Sequence, residues 1–234
     1  MAYSNNGNSI QRTTPIVFNL ILINVLVYLA QKIVTGIDIT GLGALHYYKS
    51  PLFKPYQLVT NMFLHAPNQI FHILFNMFSL WMFGSILERF WGSKRFLIFY
   101  LICGLGASLI IELSVPFSAQ QFAKTLDAIP AGVSQADIIE AYKTQYSSIG
   151  ASGAIMGLLA AFAYLFPNTE LFIWFIPIPV KAKFFVPIYM VIELFQGVHQ
   201  FKGDDVGHFA HLGGALVGFL LVLYWNKANR KTFY

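Results

Sequence analysis

The sequence predicts an all-α fold of polytopic membrane type, a bundle of six transmembrane helices. Three observations predict it. Hydrophobic residues make up 56% of the 234 positions and charged residues only 11%, whereas soluble domains carry about 25% charged residues; mean hydropathy is +0.60. The apolar residues gather in runs close to the roughly 20 that a helix needs to cross the hydrocarbon core. Those runs lack strand alternation, and in lipid only helices and closed barrels satisfy every backbone group.

In chain order, residues 1–15 are polar with one arginine and read as a short disordered cytoplasmic tail. No cleavable signal peptide is evident, because the apolar run that follows is too long for a typical h-region. The membrane domain is expected over 16–225, with spans near Ile16–Val34, Ile70–Leu87, Phe96–Val115, Ile149–Phe166, Phe184–Val198 and Val206–Trp225. The second, fourth and fifth are short or interrupted. Residues 226–234 read as a cytoplasmic C-terminal tail. Long outer loops fall at about 35–69 and 116–148. The first mixes Pro51 and Pro55 with Tyr47, Tyr48, Phe53, Tyr56 and Phe63, a composition suited to the headgroup zone. The second contains SQADIIEAYKTQY. Ser134 is a candidate N-cap there, Asp137 falls in the first turn, and Ile138, Tyr142 and Tyr146 share a face, so a short interfacial helix is expected.

Basic residues set the orientation. With the N-terminus inside, the inner segments hold Arg12, Arg89, Lys94, Arg95, Lys181, Lys183, Lys227, Arg230 and Lys231, and the outer ones hold Lys32, Lys49, Lys54, Lys124, Lys143 and Lys202. Nine against six favours both termini in the cytoplasm. The net charge of +5 is spread over the ends of apolar runs, so the expected partner is the lipid bilayer and not nucleic acid. The single cysteine, Cys103, excludes an internal disulfide framework.

Polar groups inside spans are costly and mark function by default. They are few here: His72 and Asn76 in the second span, Ser152 in the fourth, Glu193 in the fifth, His208 and His211 in the sixth. His72 and Asn76 are four apart and share a helix face. With the N-terminus inside, spans two, four and six all begin at the outer surface. His72, Asn76, Ser152 and His211 then lie in one layer, roughly 3–9 Å deep at 1.5 Å per residue. A hydroxyl, an imidazole and an amide at one depth make a candidate nucleophilic site. Serine needs a base to take its proton, and His211 suits that role near neutral pH. His72, Asn76 and the Ser152 backbone N–H are candidate donors to an oxyanion. No aspartate lies at this depth in the three spans, so a Ser152–His211 dyad is expected, without an orienting carboxylate.

The reading without chemistry makes Ser152 a small packing residue and the other three interhelical hydrogen-bonding groups. Gly153 and Gly157 form one G-x-x-x-G, Gly214 and Gly218 another, and both read as close helix contacts that bring Ser152 towards His211. A zinc site is the competing chemistry for the histidines. The H-E-x-x-H of membrane metalloproteases is absent, so no metal and no other cofactor is expected, and His208 reads as a residue at the lip of the cavity.

The strings HILFNMFSLWMFG from His72, LERFWGSKRF from Leu87, GASG from Gly150 and AHLGGALVG from Ala210, in this order, resemble the rhomboid family of intramembrane serine proteases over roughly Pro15–Trp225. The resemblance implies Ser152 as nucleophile, His211 as general base, and His72 and Asn76 as the oxyanion-stabilising pair. It implies cleavage of transmembrane segments of other membrane proteins, without metal or organic cofactor. Glu88 and Arg89 match a structural pair and read as an interfacial ion pair. Tyr56-Gln57 stands where many members carry Trp-Arg, which leaves the anchoring of the first outer loop open. The extended loop before span four is either a cap or exosite, or a tolerated surface insertion. Span five, with Pro187, is either a substrate gate or a kinked lipid-facing helix. The expected function is a serine endopeptidase of a bacterial cytoplasmic membrane. The alternative is a catalytically silent rhomboid-like chaperone or binding protein, whose signature would be loss of the serine or histidine; neither is lost.

Overall fold

The computed structural model describes residues 13–126, 129, 132–173, 176–199 and 207–230. The N-terminal tail expected over 1–15 lies almost wholly outside them, as do Arg12, Lys202 and Lys231 from the charge count. Six helices follow the six expected spans in order: α1 Pro15–Ile33, α4 Ile70–Trp91, α5 Ser93–Thr125, α7 Ser152–Leu165, α8 Ala182–His199 and α9 His208–Arg230. Four of them, α1, α4, α5 and α9, are long and apolar enough to cross a membrane. α7 has 14 residues, and α8 has 18 with Pro187 inside it. The fold is mostly helical and of multi-pass membrane type. Its helices turn large apolar side chains outward, among them Phe75, Leu113 and Val191. A soluble monomer rarely exposes contiguous patches of that kind.

The centre of the bundle is α7, which packs on α9 and α5. Both expected glycine motifs are contact points. A methyl group added at Gly214 would collide with the backbone oxygen of Gly153, and one at Gly218 would come within 2.6 Å of the Gly157 Cα. Only hydrogen atoms fit between these helices, as the small-residue rule for membrane interfaces requires. α4 contains one π-helical stretch, Leu80–Gly84. Gly92, at φ +80°, ends α4 and starts α5, the backbone conformation that favours glycine past a helix end.

Two features differ from expectation, and a third answers what the sequence left open. α5 does not stop near Val115. It runs through Pro116 to Thr125, 33 residues in all, which at 1.5 Å per residue is about 50 Å against a hydrocarbon core of about 30 Å. Its outer end packs on the interfacial helix α6, Gln135–Gln145, with the Phe122 and Tyr142 rings 5.1 Å apart. α6 itself forms as expected, with a capping box between Ser134 and Asp137. Second, Glu88 does not pair with Arg89. Its buried carboxylate accepts from the Ile16 and Val17 N–H groups at 3.0 and 2.8 Å and from the Ser93 hydroxyl at 2.6 Å, so it caps the start of α1.

Third, the first outer loop is an ordered layer. It holds α2 Ile39–Gly43, strand β1 Leu45–His46, α3 Gln57–Thr60 and a 3-10 turn, Asn61–Phe63. Gln57, in the Tyr56-Gln57 stretch, anchors it. This side chain is almost fully buried; its oxygen accepts from Lys54 N–H at 3.0 Å, and its amide nitrogen donates to the carbonyls of Leu52 and Leu42 at 3.1 and 3.3 Å. The loop is fastened to α5 where Asn61 donates to Ser108 Oγ and the Tyr48 N–H donates to Glu112. β1 pairs antiparallel with β2, Ser147–Ser148, four residues ahead of Ser152. An antiparallel strand pair, β3 Glu170–Ile173 with β4 Ile176–Lys181, lies between α7 and α8.

Candidate active site

The loop that carries Ser152 is held from both sides. β2 ties it to β1, and the Gly150 N–H donates to the Asn61 carbonyl at 2.9 Å. Gly150 has φ +135°, a conformation open to glycine and strained for other residues. Ser152 then begins α7. Its backbone N–H is one of the first-turn donors that lack a partner within the helix.

His72 stands opposite. A Cβ placed on Gly150 would lie 3.0 Å from His72 Nε2 and 3.5 Å from Ser152 Oγ, so ring and hydroxyl converge over a residue that has no side chain. The Ala66 N–H donates to His72 Nδ1 at 3.3 Å. An acceptor at Nδ1 puts the proton of the neutral ring on Nε2, and Nε2 is the atom turned towards Gly150. One turn further along α4 lies Asn76, buried, with an Nδ2 that has no hydrogen-bond partner. Buried donors are normally satisfied; this one lines the same space as Ser152.

His211 is in the first turn of α9, the helix that the glycine contacts hold against α7. His72, Asn76, Ser152 and His211 all line one cavity of about 1650 Å³, larger than the roughly 300–1,000 Å³ typical of small-molecule sites. Its wall also includes Ser118 and Phe122 from the outer end of α5 and Ile138 and Tyr142 from α6. The extended outer segment therefore forms part of the cavity wall.

One polar residue of the spans, to which the sequence assigns no role, also meets the site. Glu193 of α8 is 2% exposed, and its Oε2 accepts from His208 Nδ1 at 2.7 Å. The same oxygen lies 3.0 Å from His211 Nδ1. That second contact has the distance of an ion pair, but the N–H does not align well enough for a hydrogen bond. His208 lines the cavity and is also a buried partner of a carboxylate. The signal in the sequence was a carboxylate in the last two turns of α8, within about 9 Å of that helix end, near which α9 begins. Among the described residues no group of three His, Cys, Asp or Glu side chains is placed to hold a metal ion.

A family model described as the Rhomboid domain matches residues 53–227. Rhomboid-like protein 11, chloroplastic, of Arabidopsis thaliana is 29% identical over 222 residues, 90% of this chain and 65% of that protein. Rhomboid protein 1, mitochondrial, of Saccharomyces cerevisiae is 27% identical over 174 residues, 74% of this chain and 43% of that protein. Rhomboid protease GluP of Bacillus subtilis is 30% identical over 165 residues, 70% of this chain and 25% of that protein. The chain therefore spans between a quarter and two thirds of the length of these relatives. Two of the three names are organellar, so they lend no support to a bacterial cytoplasmic membrane in particular.

Proposed function

The chain belongs to the Rhomboid family, and from that membership we propose that it is an intramembrane serine endopeptidase acting on transmembrane segments of other membrane proteins. One observation carries the reading: Ser152, His211, His72 and Asn76, from three helices, line a single cavity. A scatter of structural polar groups has no reason to meet there, still less to leave a buried amide donor unpaired.

In this reading His211 takes the Ser152 proton as the hydroxyl attacks the scissile carbonyl. The carbonyl oxygen becomes an oxyanion, and three donors surround it: His72 Nε2–H, Asn76 Nδ2–H and the Ser152 backbone N–H. His211 then gives its proton to the leaving amine. Water, activated by the same imidazole, releases the acyl-enzyme. Donors fixed on folded helices would need little reorganisation as the charge develops. The nine-to-six distribution of basic residues favours a cytoplasmic position for both termini.

The test is covalent. A fluorophosphonate probe applied to the protein in detergent should modify Ser152, as mapped by mass spectrometry. Ser152→Ala and His211→Ala should each abolish cleavage of a transmembrane reporter while the protein still inserts. Asn76→Ala should lower kcat by about 10²–10³-fold, the usual effect of removing one oxyanion donor. Cleavage that survives in both the Ser152 and His211 variants would refute the reading.

A further inference from the structure

We infer that Glu193 is a positioning residue for the base, so that the site works as a Ser152–His211–Glu193 set and not as a dyad. The inference rests on the protease reading above and adds a member that it does not contain. Its ground is geometric. A carboxylate at membrane depth, 2% exposed, is expensive to bury unless its charge is met. Here one oxygen, Oε2, meets two imidazoles, at 2.7 Å for His208 Nδ1 and 3.0 Å for His211 Nδ1. The contact to His211 is made to Nδ1 and leaves Nε2 free. A carboxylate oxygen beside Nδ1 holds the proton on that nitrogen, and the lone pair then sits on Nε2, the nitrogen available to Ser152. When Nε2 takes the serine proton the ring becomes a cation, and the fixed negative charge 3.0 Å away stabilises it.

His208 has its own part in this arrangement. Its hydrogen bond to Oε2 fixes the Glu193 carboxylate in place, so that it remains a rigid stop for the His211 ring. The rival role for Glu193 is a staple between α8 and α9, with no influence on chemistry. A staple affects folding and substrate binding; a positioning residue affects kcat.

The experiment uses the full chain, purified in detergent, with a fluorophosphonate probe and a transmembrane reporter. Wild type is compared with Glu193→Gln, which keeps the size and an acceptor oxygen but removes the charge, and with Glu193→Asp, which keeps the charge. Loss of the orienting carboxylate in Ser–His–Asp proteases lowers kcat about 10⁴-fold; with part of this carboxylate engaged by His208, the expected fall in kcat and labelling rate for Glu193→Gln is on the order of 10–10³-fold. KM should stay within about twofold, and Glu193→Asp should recover part of the rate. A Glu193→Gln variant with wild-type kcat would overturn the inference. So would a variant that melts early and loses KM and kcat together, or a Glu193→Asp no better than Glu193→Gln, since each marks a structural staple. Failure of the probe to label wild-type Ser152 would instead sink the protease reading, and this inference with it.

Discussion

Gly150 is where a missing atom matters most. Its φ of +135° and the 3.0 Å between its virtual Cβ and His72 Nε2 restrict the position twice, once by backbone and once by space. Gly150→Ala should therefore strain the loop, by about 1–3 kcal/mol, and push the His72 ring off its place. The expected result is a fall of at least about tenfold in fluorophosphonate labelling, in line with loss of one oxyanion donor, in a protein that still inserts. His65 makes a second prediction. It is fully buried with neither ring nitrogen hydrogen-bonded, and its ring packs edge-on against His72 at 5.1 Å. Burial, with a smaller contribution from His72, holds its pKa down at about 3 against an ordinary 6.5. The unfolded chain therefore binds the proton first. Stability is complete above about pH 6.5 and falls as pH drops towards 3, by roughly 2 kcal/mol between pH 6.5 and 5. Thermal melting in detergent should show that fall, and His65→Leu should lessen it; an equal fall in both would remove His65 as its cause. At this scale the polar residues set in apolar runs were legible, because each is rare and each is costly. Glu193 was seen but given no role, because its partners lie 15 and 18 positions away across a loop, and no local pattern reports such a contact.

At the scale of elements, Glu88 is the clearest case of a side chain working away from its own helix. Adjacent positions on a helix do not face each other, which is why the expected pair with Arg89 does not form. The carboxylate turns instead to the free N–H groups of α1, where the helix dipole favours negative charge. Glu88→Ala strands the N–H groups of Ile16 and Val17 and the Ser93 hydroxyl. With hydrogen bonds to charged groups contributing about 1.5–3 kcal/mol each, a loss of about 2–4 kcal/mol is expected, read as a lower melting temperature; Glu88→Gln, which keeps one acceptor, should lose less. A melting temperature unchanged by Glu88→Ala would mean that α1 does not depend on this cap. The helices themselves were legible from apolar run lengths, and the ends were not. Pro116 read as the start of a loop because proline costs a helix interior about 3 kcal/mol. The helix continues because its far side is packed: Phe117 lies 5.9 Å from Phe209, and Ala119 and Ala123 are buried. Packing outweighs a local penalty of that size, and packing is a tertiary fact.

For the whole molecule, the arrangement follows from which helix ends meet. α4, α7 and α9 bring their first turns to one cavity, and the loop layer of α2, β1 and α3 together with the outer end of α5 and α6 stands on that same side. The side of the membrane that holds this layer therefore decides where the chemistry takes place. The distribution of basic residues favours the outside, and a direct measurement tests that. Cys103 is the only cysteine and is completely buried, so it should stay silent towards a membrane-impermeant maleimide in the folded protein. Lys49, in the loop layer, and Lys94, at the opposite end where α4 meets α5, are both exposed and are suited to single-cysteine reporters. In intact cells Lys49→Cys should be modified and Lys94→Cys should not, until the membrane is permeabilised. The reverse pattern would turn the molecule over. Ser152 would then open towards the cytoplasm, and any substrate would have to present its cleavable segment from that side.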